Sequence, residues 1–207
     1  DGLEDVFIGN AFGAPAALYL QSPDGRFRQS STEIWKADIA YEDHGALFFD
    51  ADMDGDPDLL VVSGGAEADP KFAEVAWQHR LYINTDGKGT FLKAPNAIPR
   101  TPDVGGRAAV YDYDNDGDPD LFIGGRVKPT QWPTTPNSVV LRNDRTHFTD
   151  VTADVAPAFA HCGMVTDLSW ADTDGDGKPE LIVCGEWMPI MVFKFQNGKL
   201  QNRTEEA

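Results

Sequence analysis

Short apolar runs recur along the chain, and turn residues bound each of them. One series is rich in β-branched and aromatic residues and ends in glycine: Val6–Gly9, Leu59–Gly64, Leu121–Gly124 and Leu181–Gly185. A second series precedes three of these runs, at Ala46–Phe49, Ala108–Tyr111 and Leu168–Ala171. Runs of this length and composition between turn residues predict β-strands. Each pair of neighbouring runs, with the polar loop that joins them, therefore predicts a β-hairpin.

Two further strand candidates follow each hairpin. The third strand of the unit is predicted at Ala17–Leu20, Arg80–Ile83, Ser138–Arg142 and Ile190–Phe195. The fourth is predicted at Arg26–Gln29, Phe91–Lys93, Phe148–Val151 and Leu200–Asn202. Helical patterning is nearly absent, and only Glu67–Trp77 is compatible with a turn or two of helix. Four strands in each long repeat unit predict an all-β fold, a β-propeller of four-stranded antiparallel blades.

The loop between the first two strands is acidic and repeats without gaps. It reads Asp50-Ala-Asp-Met-Asp-Gly-Asp-Pro-Asp58, Asp112-Tyr-Asp-Asn-Asp-Gly-Asp-Pro-Asp120 and Asp172-Thr-Asp-Gly-Asp-Gly-Lys-Pro-Glu180. The first residues of these loops lie 62 and then 60 positions apart. Asp1–Asp5 matches the second half of the pattern, so we expect the chain to begin inside a loop of a longer protein.

The repeat also predicts how the blades divide the chain. We expect one propeller segment over 1–207, with blades at approximately 1–40, 44–100, 105–155 and 162–207. The first of these blades is partial, because it lacks its first strand. Closed propellers typically have four to eight blades. Three full blades and one partial blade therefore predict either a fragment of a larger ring or a small, imperfect ring.

Acidic residues dominate the charge of the chain and concentrate in the loops. The net charge is −17, from 34 acidic and 17 basic residues, and half of the acidic residues fall within Asp1–Asp5 and the three loops. This charge opposes binding to nucleic acid and to anionic membrane surfaces. No apolar run approaches the length of a membrane span, so none is predicted. Acid that is clustered rather than evenly spread indicates cation sites.

The loops have the ligand pattern of calcium sites. Ca²⁺ takes roughly six to eight oxygen ligands in flexible geometry. Carboxylates at loop positions one, three, five and nine, with the carbonyl of position seven, would supply them, and glycine at position six permits the sharp turn. The predicted ligands are Asp50, Asp52, Asp54, Asp56, Asp58, Asp112, Asp114, Asp116, Asp118, Asp120, Asp172, Asp174, Asp176, Lys178 and Glu180. Asp1, Leu3 and Asp5 belong to a truncated fourth site, so about three full Ca²⁺ sites are expected.

Three other interpretations of the loops are weaker. An EF-hand closes with Glu at position twelve, whereas that position here is Val61, Ile123 or Val183, inside a predicted strand. A metal-free turn would leave up to five carboxylates in nine residues to repel one another. Mg²⁺ prefers a tight octahedron and keeps several waters. The pattern therefore favours Ca²⁺.

These loops resemble those of the FG-GAP/VCBS repeat family, the β-propeller repeats of integrin α-chains and bacterial surface proteins. Phe12–Pro15 resembles a shortened form of the Phe-Gly…Gly-Ala-Pro signature. Leu141–Asp144 and His147–Thr152 resemble the bacterial and cartilage-acidic-protein-like branch, which is often associated with ASPIC/UnbV domains. The resemblance implies a seven-bladed ring, of which this chain would supply about half, and calcium ligands at positions one, three, five, seven and nine.

A second candidate surface lies on the loops between the second and third strands. Antiparallel strands place these loops on the face opposite the acidic ones, and each loop carries an aromatic residue. The predicted partner-binding residues are Phe12, Trp77, Arg126, Trp132 and Trp187. Trp and Arg are favoured at binding hot spots. Packing of these tryptophans over the blade edges is the alternative.

The sequence therefore predicts an extracellular, cell-surface or periplasmic calcium-binding scaffold for a protein or glycan partner, with a cell-adhesion role. One alternative is a non-catalytic architectural module of a larger surface protein. Another is a propeller-framed polysaccharide-degrading enzyme with carboxylates hidden among Glu67, Asp69 and Glu74, although no catalytic signature is present. Exposed blade edges would allow self-association. Cys184 is expected to be a buried strand residue, and a Cys162–Cys184 bridge stays open.

Overall fold

The computed structural model describes residues 2–65, 73–101, 103–145 and 147–205. The strands are β1 Val6–Ile8, β2 Ala17–Gln21, β3 Phe27–Gln29, β4 Asp43–Phe49, β5 Asp58–Ser63, β6 Arg80–Asn84, β7 Phe91–Ala94, β8 Val104–Tyr111, β9 Asp120–Val127, β10 Val139–Asn143, β11 Phe148–Asp150, β12 Met164–Ala171, β13 Glu180–Glu186, β14 Met191–Gln196 and β15 Lys199–Asn202. The helices are one-turn elements: α1 Glu33–Lys36, α2 Ala73–Ala76, α3 Thr152–Val155 and α4 Pro157–Ala160. None of these described helices has the length and apolar character of a membrane span.

The strands form four antiparallel sheets in which each strand pairs with its neighbour in sequence. The first sheet has three strands, in the order β1-β2-β3, and the other three have four strands each, β4 to β7, β8 to β11 and β12 to β15. The prediction of an all-β fold with four-stranded antiparallel, propeller-like blades is confirmed, with one blade lacking its first strand. The closure of a complete ring stays a prediction.

In the second and third sheets, the second strand is buried on both faces because a neighbouring sheet packs against each side of it. Leu59 and Val61 of β5 pack with Leu18 of the first sheet. The alternate residues, Leu60 and Val62, pack with the third sheet. Successive side chains of a strand point to opposite faces. A continuous apolar run in β5 therefore serves two inter-sheet cores, as expected for blades stacked around an axis.

The first strands of consecutive blades lie side by side. β4 packs against β8, and β8 packs against β12. A Cβ atom added to Gly106 would lie 2.6 Å from the carbonyl oxygen of Val165, which is closer than real Cβ contacts. Glycine at this position therefore lets the inner strands approach one another.

Several sequence predictions differ from the structure in detail. The first strands begin three to four residues earlier than predicted, across irregular pairing between Asp43 and Gly45 and between Val165 and Asp167. Such bulges break the alternation of apolar residues on which the prediction rested. The segment Glu67–Trp77 contains α2, while 66–72 lie outside the described residues.

The prediction for Cys184 is wrong in part. It lies in β13 as expected but is only half-buried, because it alternates with Val183 and faces the side on which no further described sheet packs. Cys162 and Cys184 are both free thiols, so the open question of a bridge is settled against it.

Candidate metal centre

Each acidic loop closes a hairpin at the same register. The last paired residues are Phe49 with Asp58, Tyr111 with Asp120, and Ala171 with Glu180. The ninth loop residue is therefore also the first residue of the following strand. This placement anchors the closing carboxylate in the sheet, while the rest of the loop curls outside it.

The structure brings three carboxylates together in every full loop. The clusters are Asp50 with Asp52 and Asp58, Asp112 with Asp114 and Asp120, and Asp172 with Asp174 and Glu180, and in each cluster one oxygen per residue lies within 4.8 Å of the others. These residues occupy loop positions one, three and nine. Each cluster can hold a metal ion, and its donors are all oxygen, the type that hard divalent cations prefer.

Equivalent hydrogen bonds to backbone N–H groups give the first and second loops the same conformation. In the first loop, Asp50 accepts hydrogen bonds from the N–H groups of Asp54 at 3.2 Å and Gly55 at 3.0 Å. Asp112 accepts the same two bonds in the second loop, from Asp116 and Gly117. Position six has a φ of +95° in the first loop and +96° in the second. Only glycine adopts this conformation without strain.

The closing carboxylates of the first two loops are buried, and each of their oxygens accepts one backbone N–H. Asp58 accepts from the N–H of Ala51 at 2.9 Å and of Asn84 at 2.8 Å. Asp120 accepts from the equivalent N–H groups of Tyr113 and Asn143. Desolvation raises the pKa of Asp58 despite these hydrogen bonds, and it raises the pKa of Asp120 to about 7.

Neighbouring acidic groups add to this effect at position three. The pKa values of Asp52 and Asp114 are raised, first by desolvation and then by the charges of Asp54 and Asp116. Both loops therefore hold more negative charge than their own surroundings compensate. A cation bound among these oxygens would relieve that repulsion, so the residues present fit a divalent ion.

The carboxylates of positions five and seven lie outside these clusters. The carboxylate of Asp54 accepts the N–H of Asp56 at 2.9 Å, and Asp116 does the same for Asp118. The Asp118 side chain pairs with Arg145 at 3.0 Å. A position-seven side chain that is engaged elsewhere is compatible with the expected use of the carbonyl as ligand.

The third loop has a different environment, because a lysine reaches into it. The Nζ atom of Lys194 lies 2.6 Å from Asp174, 2.8 Å from Asp176 and 2.7 Å from Glu180. Desolvation raises the pKa of Glu180, but hydrogen bonds from Lys194 and Thr173 outweigh it and hold the pKa below its usual value. The hydrogen bond from Lys194 also lowers the pKa of Asp176.

Sequence reasoning missed Lys194 because the lysine belongs to the third strand of the blade, outside the motif. The signal that identifies it is strand register, since Leu181 pairs with Phe193 and so fixes its neighbour beside the loop. Lys178, the predicted position-seven ligand of this loop, donates its N–H to Asp176 at 2.9 Å.

The truncated loop is present in part. Asp5 accepts the N–H of Gln21 at 2.9 Å, the same bond that Asp58 receives from Asn84. Asp5 therefore stands at the closing position, as the alignment predicts. Asp1 lies outside the described residues, and Leu3 stays a predicted carbonyl ligand.

The loops at the opposite end of the strands bring two of the predicted partner residues together. Trp132 and Trp187 come from different blades, their ring centroids lie 5.1 Å apart, and they are 61% and 72% exposed. Arg126 pairs beside them with Glu186 at 2.7 Å. Sequence reasoning missed Ile190, which is 65% exposed and follows the same loop.

The other two predicted partner residues are set apart from this pair. Phe12 is exposed in the first sheet's loop, and Trp77 is half-buried after α2. The carboxylates considered for catalysis cannot be placed, since Glu67, Asp69 and the side chain of Glu74 lie outside the described part of the chain.

Comparison with known families agrees with this architecture. The profile of the FG-GAP-like repeat family matches residues 1–61 and 72–123, more than half of the chain. The matched segments include the first and second full loops and the truncated one. Comparison with curated proteins gives no match. The family resemblance predicted from the loops is thus confirmed, and the chain belongs to the FG-GAP-like repeat family.

Proposed function

We propose that the chain is a calcium-stabilised extracellular module that binds a protein or glycan partner. The observation that carries the calcium part is the recurrence of one carboxylate cluster at one hairpin register in three consecutive blades. A turn without metal would not require carboxylates at positions one, three and nine in all three loops. Family membership supports a propeller with an adhesive role.

The role proposed for calcium is structural. Bound Ca²⁺ would supply positive charge and oxygen coordination to each loop. Positions one and three are half-buried or exposed in the loop, whereas position nine is buried in the sheet. Holding these positions together therefore fixes the loop to its hairpin. Extracellular modules of this kind bind calcium at about 10⁻⁴ to 10⁻³ M, which matches calcium levels outside cells.

The partner surface proposed here is the aromatic pair Trp132 and Trp187 with Ile190 beside it. Large exposed apolar groups on adjacent loops are typical of interaction sites, and tryptophan is enriched at hot spots. The Arg126–Glu186 ion pair borders the aromatic pair with charge of both signs. The metal loops lie at the other ends of the same strands, so they would brace the blades without blocking this surface.

A binding screen with matched variants tests the proposal. The chain is presented to immobilised extracellular glycans and matrix proteins in about 2 mM Ca²⁺ and in EDTA. We expect the double variant Trp132→Ala/Trp187→Ala to bind at least about tenfold more weakly than wild type, as for loss of a hot spot. Phe27→Ala, which removes an exposed aromatic from the outer strand β3, should bind normally. Binding that the double variant retains, or that EDTA leaves unchanged, would contradict the proposal.

A further inference from the structure

The third acidic loop already contains a cation from its own chain. The ammonium of Lys194 lies between 2.6 and 2.8 Å from three carboxylates, and its side chain is only 13% exposed. Two of those carboxylates, Asp174 and Glu180, belong to the cluster that can hold a metal. The ammonium donates a hydrogen bond to Asp174 and forms ion pairs with Asp176 and Glu180.

The first two loops receive no such group from the equivalent strand position. Leu59 pairs with Tyr82, Leu121 with Leu141 and Leu181 with Phe193, so the residues equivalent to Lys194 are Ile83 and Arg142. Ile83 is apolar and packs against the core between the second and third sheets. Arg142 turns to Asp144, at 3.0 Å, rather than to the loop carboxylates.

The third loop also carries less negative charge than the first two. The first two loops carry five acidic residues each, whereas the third carries four and Lys178. With Lys194 added, two basic groups oppose four acidic ones. The closing residue also differs: Asp58 and Asp120 use both oxygens for backbone N–H groups, while Glu180 turns one oxygen to Lys194.

We infer that Lys194 acts as a resident cation of the third loop, which orders that loop without metal and makes it the weakest of the three calcium sites. The inference rests on the proposed calcium function. Calcium must displace the ammonium from Asp174 and Glu180, or bind beside it against like-charge repulsion. In the described part of the chain, no basic side chain forms an ion pair with the position-one, position-three or position-nine carboxylates of the first two loops; Arg145 pairs with Asp118, at position seven. The first and second loops therefore load first, and the third loads only at higher calcium.

Site-resolved NMR separates the three loops. The amides of Gly55, Gly117 and Gly177 each donate to the first carboxylate of their own loop, so their signals report on that loop. In a CaCl₂ titration of wild type, we expect Gly55 and Gly117 to respond at least about tenfold earlier than Gly177. In Lys194→Met, Gly177 should respond together with the other two.

One further variant controls for overall charge. Lys178→Met removes one positive charge from the same loop but keeps the backbone carbonyl of position seven and the contacts of Lys194, so it should leave Gly177 the last signal to respond. A response of Gly177 simultaneous with the others in wild type, or one that Lys194→Met leaves late, would overturn the inference.

Wild type in EDTA gives a test that needs no variant. Because Lys194 bridges three carboxylates of the third loop, the Gly177 amide should exchange with solvent more slowly than those of Gly55 and Gly117. Equal or faster exchange at Gly177 would contradict the inference.

If none of the three signals responds to calcium, the proposed calcium function fails in every loop and the weak-site inference fails with it. A response of Gly55 and Gly117 alone, unaltered by Lys194→Met, rejects only the role of Lys194.

Discussion

Asn143 connects the first two acidic loops, and its removal should weaken both of them. Its side-chain amide donates to the carbonyl of Ala51 at 2.9 Å and to that of Pro119 at 3.3 Å. Its oxygen accepts the N–H of Arg145 at 2.9 Å. The Ala51 N–H in turn donates to the closing carboxylate of the first loop, Asp58. One chain of hydrogen bonds therefore joins neighbouring blades at the ends that carry the acidic loops.

The cost of Asn143→Ala follows from these contacts. Asn143 and Ala51 are each 1% exposed, so water cannot replace the lost partners without rearrangement. Three hydrogen bonds at about 1 kcal/mol each give a loss of about 3 kcal/mol in the free energy of unfolding. For a chain of this size, that corresponds to a fall in Tm of roughly 6 to 12 °C.

Asn84→Ala is the matched control, because Asn84 is the equivalent residue one blade earlier. Its side chain makes two contacts of 3.3 Å, with Pro57 and Gly89, both within its own blade. We expect about 1 to 2 kcal/mol for this variant. Urea denaturation of both variants in EDTA measures the difference without any contribution from metal. A loss in Asn143→Ala no larger than that in Asn84→Ala would refute the reasoning.

Two other buried groups give further predictions. Arg80 forms a buried ion pair with Asp43. Arg80→Met leaves that carboxylate unpaired, so it should lower the free energy of unfolding by about 3 to 5 kcal/mol in urea denaturation. A loss below about 1 kcal/mol would contradict this prediction. His79 is buried and accepts the Ser63 N–H at Nδ1, and desolvation lowers its pKa from 6.5 to about 4. The neutral form stabilises the fold, so this stability is present above pH 6.5 and is lost as pH falls toward 4. It should amount to about 2 kcal/mol between pH 7.5 and 5, and His79→Gln should lack that component; equal pH dependence of both proteins would contradict the assignment.

The repeat made most of the fold predictable from sequence. The acidic loops mark the hairpins, and the apolar runs that follow them coincide with β5, β9 and β13. β5 and the first part of β9 are buried on both faces, whereas buried and half-buried residues alternate in the middle of β13. The first strands were predicted too short, since bulges such as that near Gly45 interrupt their pattern. The grouping of positions one, three and nine also follows from the motif, because a tight loop brings these positions close in space.

Features that depend on contacts between strands or blades could not be predicted from the loops alone. Lys194 reaches the third loop from a strand that begins eleven residues after Glu180, and only the pairing register reveals its position. Asn143 reaches Ala51 across 92 residues of sequence. The sequence shows a tryptophan in each of these two loops, but the contact between Trp132 and Trp187 depends on the packing of two blades side by side. Contacts within one loop could therefore be predicted from the sequence, whereas contacts between strands or blades could not.

Thermal unfolding with calcium stoichiometry tests the central claim most directly. The chain is melted in EDTA, in about 10 mM CaCl₂ and in about 10 mM MgCl₂, and bound calcium is counted by equilibrium dialysis. Two loops with a Kd of about 10⁻⁴ M would add about 5 kcal/mol in this calcium, a rise in Tm of roughly 10 to 20 °C. We predict that rise with calcium and a much smaller one with magnesium, with two ions bound first and a third at higher concentration. An unchanged Tm and no bound calcium would contradict the account, and the acidic loops would then be turns without metal.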